Sequence, residues 1–362
     1  MEWEVTPGEV AAADVVVFCR NSNPDYAPIR ALVSSLGIPF IFDLDDHVLA
    51  APVESETHRY FSQSGRREEF ESYLHHAALV RVHSPMLQQI VAPYNMNHKL
   101  VWSAIDWSLV PAELPPLRHD PLRIVYASQK ETGVKLFPLM FADLRLVLDT
   151  YGEQVHLHFL GYNPPEFKHH PRVTFEPFEL DYAHYFSRFT RAGYAIGVAP
   201  MIDDAFHNSK TNIKFKDYAA AGAAGIYANT PLYNGNGVID GQTGLLVSGE
   251  LGSWFPAIQR LIEEPALLNI IRHNARRYAE THYQMDVVGD MWLNDFRSLP
   301  PRPVLTTAQQ AEIAHLKWWF TKTPPPNAKT ISALRKLLKR AIPSGWKQKY
   351  YQLNHRLQKL RG

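Results

Sequence analysis

The sequence contains one cysteine, Cys19, so an intramolecular disulfide is impossible and a reducing compartment is the simpler interpretation. It has no run of about 18 apolar residues, and we therefore predict no membrane-spanning helix. Glu2 and Glu4 stand where a secretory signal would carry positive charge before an apolar segment, so no signal is predicted. Together these absences predict a cytoplasmic protein.

Acidic residues are missing from the carboxyl-terminal part of the sequence. Residues 313–362 contain 12 Lys or Arg and no Asp or Glu. The other 25 of the 37 basic residues and all 36 acidic ones lie in residues 1–312, which therefore carry a net charge of −11. This asymmetry predicts that the tail meets an anionic surface.

Two segments of that tail, 331–342 and 346–360, have the spacing of basic amphipathic helices. "LKWWFTK" at 316–322 adds aromatic residues of the kind that favour a membrane interface. We therefore predict peripheral binding to an anionic membrane, on its cytoplasmic face. The alternatives are a helix packed on the body or an oligomer contact. Nucleic acid is not the predicted partner, because no recognition motif accompanies the charge.

The remaining sequence alternates short β-branched runs with helical segments. The 362 residues, 46% of them hydrophobic, are enough for two domains. The alternation predicts βαβ units with parallel sheets, and hence two doubly wound α/β domains in tandem. We expect them at residues 1–110 and 122–299, with a proline-rich linker at 111–121 and a proline-rich connector and basic tail at 300–362.

The stretch "NSKTNIKFKDYAAAG" at 208–222 places lysines where a helix should begin, although a helix N-terminus already carries partial positive charge. Lys210, Lys214 and Asp217 are spaced i, i+4 and i+7, which predicts one stripe of a helix. A phosphate would satisfy both the lysines and the unpaired backbone N–H groups, and Asp217 would then reach the hydroxyls of an attached nucleoside. The alternative is a solvated face on which Asp217 pairs with one of the lysines.

Two further groups of polar residues follow predicted strands, where ligands bind in open α/β sheets. Lys130 and Lys135 follow the strand at 122–128 and are candidates for contact with phosphate. "DLDDH" at 43–47 contains Asp43, Asp45 and Asp46, which could hold a metal or cap a helix. His83 ends another strand, where a lone histidine is more often structural.

The span 194–247 resembles the carboxyl-terminal half of GT-B glycosyltransferases, and most closely the retaining family 4. The matching features are "KDYAAAG" at 216–222, "AGIYANTPLY" at 224–233 and "VIDGQTGLLV" at 238–247. In the amino-terminal half, "HSPML" (83–87) and "SAIDWS" (103–108) stand where the family has similar motifs. Together the matching parts cover roughly residues 13–295.

The resemblance implies the GT-B fold: two Rossmann-like domains facing a cleft, followed here by the basic tail. It implies that the carboxyl-terminal domain binds a nucleotide-diphosphate sugar without a metal, and that the amino-terminal domain binds a glycan or lipid-linked acceptor. Asp217 corresponds to the acid that contacts ribose, but Ser209 stands where the family's first acid is expected. Asp204 or Asp203 takes that role in our interpretation, contacting the donor sugar.

Other roles are implied in the same way. Asp45 and Asp46, with Asp43 and His47, would bind acceptor hydroxyls, and one of them would act as a general base. The lysines at 130, 135, 210 and 214 would stabilise the leaving diphosphate. Asn234 and Gly235 complete the candidate donor site.

The resemblance therefore predicts a hexosyltransferase in surface polysaccharide or glycolipid synthesis, and it also implies that the configuration of the sugar is retained. Two alternatives stay open. One is a sugar-nucleotide epimerase on the same fold, and the other is a catalytically silent subunit that binds a partner. The second is favoured by the missing first acid and by an amino-terminal domain that lacks the family's glycine-rich loop.

Overall fold

The computed structural model describes residues 5–117, 120–309, 311 and 313, with backbone only for 130 and 131. The chain forms two compact units. Among the described residues, unit 1 contains those up to 103, the segment 204–211 and those from 286 onward, and unit 2 contains 104–203 and 212–285. The sequence-based boundaries assigned 122–299 to one domain. The predicted membrane-binding tail lies outside the described residues, apart from Ile313.

The strands and helices follow the alternation predicted from the sequence. The strands are β1 Val16–Cys19, β2 Phe40–Leu44, β3 Leu79–Val82, β4 His98–Leu100, β5 Leu122–Ala127, β6 Val155–Leu160, β7 Val173–Glu176, β8 Ile196–Ala199, β9 Ala224–Ala228 and β10 Leu245–Val247. The helices are α1 Pro7–Ala12, α2 Ala27–Ser35, α3 Glu56–Phe61, α4 Arg66–His76, α5 Pro85–Val91, α6 Lys130–Leu136, α7 Phe141–Tyr151, α8 Tyr182–Arg191, α9 Ala205–Asn208, α10 Ile213–Ala221, α11 Trp254–Glu263, α12 Pro265–His282 and α13 Met285–Ser298.

Unit 1 is built on a parallel sheet with the strand order β1-β2-β3-β4. β2 and β3 are buried along their whole length, as expected for central strands covered by helices on both faces. Phe42 of β2 stacks on Tyr73 of α4, with ring centroids 5.2 Å apart, at the centre of one core. Ser84 caps α5 by accepting a hydrogen bond from the N–H of Leu87, and Pro85 is the first helical residue.

Unit 2 is built on a six-stranded parallel sheet with the order β10-β9-β8-β5-β6-β7. From β5 the chain winds outward through β6 and β7, then returns to β8 on the other side of β5. The strand order therefore reverses between β5 and β8. At such a switch point the connections leave the sheet in opposite directions, and ligands bind in the crevice at the carboxyl ends of the strands.

Candidate functional site

Helix α10 begins at Ile213 and ends at Ala221, and its C-cap residue Gly222 adopts a left-handed conformation with φ 68°. Lys210 therefore precedes the helix, and it belongs to unit 1. The prediction that Lys210, Lys214 and Asp217 form one helical stripe is wrong. Its physical reason is that Ser209 hydrogen-bonds to His47, Ser84 and Phe206 and not to the first turn of α10, so the chain before Ile213 does not belong to that helix.

Lys214 and Asp217 do lie on one face of α10. The Lys214 ammonium is 3.6 Å from a carboxylate oxygen of Asp217, and the Asp217 side chain is only 7% exposed. Burial raises the pKa of the Asp217 carboxyl, and the neighbouring Lys214 opposes that shift. Because α10 follows β8, this pair lies after a strand that borders the switch point of the unit 2 sheet.

Lys216 lies between these two residues in sequence, but its side chain is buried in the unit. Its ammonium is 4.7 Å from the centre of the Tyr283 ring, in a cation–π contact. Burial lowers the pKa of Lys216 to about 7, although Asp217 acts in the opposite direction. Lys216 is therefore a buried, titratable group next to the candidate donor-binding pair, and no pattern in the sequence distinguishes it from the neighbouring lysines.

The connection after β9 also lies at the carboxyl edge of this sheet. Asn212, just before α10, donates hydrogen bonds to the carbonyl of Asn236 at 2.6 Å and to the hydroxyl of Tyr283 at 3.1 Å. Asn234 and Gly235, two candidate donor ligands, form an exposed turn in this connection, and Gly235 has φ 71°. A Cβ added at Gly235 would meet nothing within 4 Å, so the turn leaves open space beside its backbone.

The lysines that follow β5 are placed less specifically. Lys135 lies in the last turn of α6 and is exposed. The side chain of Lys130 lies outside the described residues. Close packing is seen at Gly133, where an added Cβ would lie 2.4 Å from Cγ of Tyr162. A side chain larger than hydrogen at Gly133 would therefore displace α6 from the end of β6.

In unit 1, acids and bases pair at the carboxyl edge of the sheet. Arg20, directly after β1, lies 3.0 Å from a carboxylate oxygen of Asp45. The Lys210 ammonium lies 3.1 Å from a carboxylate oxygen of Asp46 and 4.1 Å from the centre of the Phe206 ring. Loss of hydration raises the pKa of Asp46, and Lys210 opposes this shift. Sequence reasoning missed Arg20, although its place directly after a strand was a usable signal.

The segment 204–211 is held on unit 1 by Ser209. The Ser209 hydroxyl accepts a hydrogen bond from the N–H of His47 at 2.9 Å, and its carbonyl accepts one from the hydroxyl of Ser84 at 2.8 Å. Ser84 and Ser209 are fully buried. Ser209 stands where the resembled family has its first acid, and here the side chain serves to attach this segment.

The two candidate acids for the donor sugar fall on either side of the division between the units. Asp203 belongs to unit 2 and is exposed, whereas Asp204 belongs to unit 1. The Asp204 carboxylate accepts hydrogen bonds from the backbone N–H of His207 at 2.7 Å and lies 2.8 Å from its ring Nδ1. Although burial acts in the opposite direction, these contacts lower the pKa of Asp204. An ionised carboxylate, 43% exposed, is therefore present at Asp204.

Asp43, by contrast, is buried beneath this surface. One of its oxygens lies 3.4 Å from Nε of Arg81, and the same oxygen lies 3.2 Å from Nε2 of His83. Arg81 also pairs with Asp295 of α13 and stacks on Trp292, with 3.3 Å between its guanidinium carbon and the ring centre. Asp43 is thus part of a buried network that attaches α13 to the sheet of unit 1.

Two kinds of feature are absent from the residues that the structure describes. No group of three or more His, Cys, Asp or Glu side chains is arranged to hold a metal ion in that part of the chain. Among the same residues, no helix combines the length and the apolar character needed to cross a membrane.

No family model matches the sequence, and no curated protein sequence matches it. Solved structures do resemble it. Sucrose-phosphate synthase (tll1590) from Thermosynechococcus elongatus is 16% identical, with a TM-score of 0.59 over 82% of this chain and 78% of that chain. Alr3699/HepE from Anabaena, in complex with UDP and glucose, is 15% identical, with a TM-score of 0.57 over 81% and 80%. A glycosyltransferase from Rickettsia africae ESF-5 is 12% identical, with a TM-score of 0.56 over 80% and 79%.

These likenesses and the two parallel α/β sheets show that the chain has the GT-B fold. The predicted fold class is thereby confirmed for the described residues. At identities of 12–16% the likeness concerns the fold, and the chemistry has to be argued from the site itself.

Proposed function

We propose that this protein is a glycosyltransferase that moves a sugar from a nucleotide-diphosphate donor to a glycan or lipid-linked acceptor. The observation that carries the proposal is the pair Lys214–Asp217. It combines a cation and a nearly buried carboxylate on the helix that follows β8, at the switch point of a sheet in a GT-B chain. Alr3699/HepE, of the same fold, has been solved with UDP and glucose and with UDP-glucose, which supports a nucleotide sugar as donor.

In unit 2, Lys214 contacts the diphosphate and Asp217 accepts hydrogen bonds from the ribose hydroxyls. As the bond between sugar and diphosphate breaks, negative charge develops on the departing phosphate, and a fixed ammonium stabilises it. Lys130, Lys135, Asn234 and Gly235 remain proposed donor contacts. Lys210 also remains one, but its ammonium is engaged by Asp46, so contact with phosphate would require it to exchange partners.

In unit 1, Asp45 and Asp46 are proposed to bind acceptor hydroxyls. A carboxylate whose pKa is raised toward neutrality is a better general base than an ordinary one, and Asp46 is shifted in that direction. Asp204 or Asp203 is proposed to contact the donor sugar. We further propose retention of configuration, catalysis without a metal, and a place in surface polysaccharide or glycolipid synthesis, in line with the resemblance to family 4.

The basic residues of 313–362 are proposed to bring the enzyme to an anionic membrane surface on the cytoplasmic side. Each Lys or Arg close to such a surface contributes about 1 kcal/mol. The segment contains 12 of them and no acid. This part of the proposal is supported by composition alone.

The proposal is tested by thermal shift with UDP, GDP, dTDP and CMP. We expect one nucleoside diphosphate to raise the melting temperature. Lys214→Ala and Asp217→Asn should each weaken the apparent affinity for that nucleotide, as obtained from the shift, at least tenfold. Lys168→Ala and Asp149→Asn are the control variants. Both side chains are exposed in unit 2, and they precede β7 and β6, so they lie toward the amino ends of the strands and away from the proposed site. Both controls should keep the shift.

A transferase is then distinguished from its alternatives by turnover. Slow hydrolysis of the matching nucleotide sugar without acceptor, lost in Asp217→Asn, supports a transferase. Conversion of the sugar nucleotide into an epimer would identify an epimerase. If no nucleotide shifts the melting temperature, the donor site as proposed is wrong, and a silent GT-B subunit becomes the better interpretation.

A further inference from the structure

The connection after β9 contains two successive Asn-Gly dipeptides, Asn234–Gly235 and Asn236–Gly237. An asparagine followed by glycine is prone to lose its side-chain amide, because glycine has no Cβ to hinder attack of the backbone on that side chain. The two dipeptides are adjacent in sequence, but their surroundings in unit 2 differ. The structure therefore distinguishes an asparagine that can react from one that cannot.

The first dipeptide forms an open turn. Asn234 and Gly235 are both exposed, and a Cβ added at Gly235 would meet no heavy atom of the described residues within 4 Å. The Asn234 side-chain amide donates a hydrogen bond to Oδ1 of Asn229 at 2.9 Å, and the N–H of Gly235 donates one to the carbonyl of Val238 at 3.1 Å. Because the turn is exposed, water replaces these bonds at small net cost when it opens locally.

The second dipeptide is held in the interior. Asn236 is only 2% exposed, and its side-chain amide donates a hydrogen bond to the carbonyl of Leu232 at 2.9 Å. Its own carbonyl accepts one from Nδ2 of Asn212 at 2.6 Å. A Cβ added at Gly237 would lie 2.7 Å from the ring of Phe215, so the packing leaves no room for the backbone to rearrange beside this asparagine.

We propose that Asn234 is a site of spontaneous deamidation in the folded protein, and that Asn236 is protected. The backbone nitrogen of Gly235 loses its proton to water and attacks Cγ of Asn234. A cyclic succinimide forms, and the side-chain nitrogen leaves as ammonia, which gains the proton that the backbone lost. Water then adds to one of the two ring carbonyls and opens the ring. The product is aspartate or isoaspartate, and water is the only co-reactant.

The reaction adds a negative charge at the carboxyl edge of the unit 2 sheet. Asn212 joins this connection to the start of α10, the helix that carries Lys214 and Asp217. A new carboxylate at Asn234 repels a diphosphate, and isoaspartate also inserts a methylene group into the backbone of the turn. The deamidation itself is independent of the proposed function, whereas its effect on nucleotide affinity rests on that function.

The test is peptide mass spectrometry after incubation of the full chain at mildly alkaline pH, with fragment ions assigning each mass increase to one asparagine. In the folded protein we expect Asn234 to react at least tenfold faster than Asn236. In guanidinium chloride the two should react at similar rates, because the protection of Asn236 comes from the fold. Gly235→Ala should slow the reaction at Asn234, since a Cβ hinders the attack, and incubation in oxygen-18 water should label the product.

Failure here is separable from failure of the proposed function, because the reaction rates are measured without a nucleotide. Equal rates at Asn234 and Asn236 in the folded protein, or no reaction at Asn234, would overturn the proposed modification. Its consequence is measured with Asn234→Asp, which supplies the carboxylate directly and should weaken nucleotide affinity several-fold in the thermal-shift assay. Unchanged affinity in Asn234→Asp, with binding lost in Lys214→Ala, would overturn the proposed repulsion.

Discussion

Unit 1 buries Arg81 and unit 2 buries Lys216, but the two cations are held in different ways. Arg81 is fully buried between two carboxylates, Asp43 and Asp295, and stacks on an indole ring. Lys216 has Asp217 and the Tyr283 ring beside it, and burial still brings its pKa down to about 7. A buried cation that is paired with carboxylates attaches one structural element to another. A buried cation that loses its proton easily lowers the free energy of unfolding and is a candidate functional group.

The largest expected effect is the removal of Arg81. Arg81→Met leaves two buried carboxylates without their shared partner, which costs about 3–5 kcal/mol of unfolding free energy. Hydrogen exchange should show the loss in β3 and α13 of unit 1. Arg67→Met removes an exposed i,i+4 pair with Glu71 and should leave the free energy of unfolding nearly unchanged. Similar costs for the two variants would contradict the network described here.

Removal of the Lys216 charge is expected to raise the free energy of unfolding, whereas removal of Arg81 lowers it. The pKa of Lys216 is depressed in the folded state, so between pH 7 and 9.5 the unfolded chain binds more protons, and stability rises with pH. The rise should reach about 3 kcal/mol over this interval, since one pKa unit corresponds to about 1.36 kcal/mol. Lys216→Met should be more stable than the wild type at pH 7 and should flatten this slope. Chemical denaturation of both proteins at several pH values measures it.

An intermediate effect is expected where the segment 204–211 is attached to unit 1. Ser84→Ala removes both the cap of α5 and the hydrogen bond to the Ser209 carbonyl, and should cost about 1–2 kcal/mol. Hydrogen exchange of the backbone amides should accelerate at residues 205–210 as well as in α5. Ser55→Ala removes a cap from α3 alone and is the matched control. Faster exchange confined to α5 would show that Ser209 is held by other contacts.

The smallest effect concerns the pair Lys210–Asp46. Both side chains are partly hydrated, at 32% and 22% exposure, so a double-mutant cycle with Lys210→Met and Asp46→Asn should give a coupling of no more than about 1 kcal/mol. Lys210→Met should also weaken nucleotide binding less than Lys214→Ala does. An equal loss of nucleotide affinity would make Lys210 a full donor ligand.

Much of the fold could be predicted because its signals are local. β9 at Ala224–Ala228 is an example, since a short apolar run between turn residues identifies a buried strand. The start of α10 could not be predicted in this way. Serine is a common helix cap, but Ser209 hydrogen-bonds to His47 and Ser84, which are distant in sequence, and to the carbonyl of Phe206, and not to the first turn of α10. The grouping of Arg20 with Asp45 likewise depends on which strands are neighbours, and no spacing in the sequence encodes that.

The discontinuity of unit 1 has a consequence for synthesis on the ribosome. Arg81 and Asp295 are separated by 214 positions in the chain. At about 5–20 residues per second, translation needs roughly 10–40 s to cover that distance. During this time β3 has already left the exit tunnel while its arginine lacks one of its two acids. The network around the amino-terminal sheet is therefore incomplete until residues 104–203 and 212–285 of unit 2 have been synthesised.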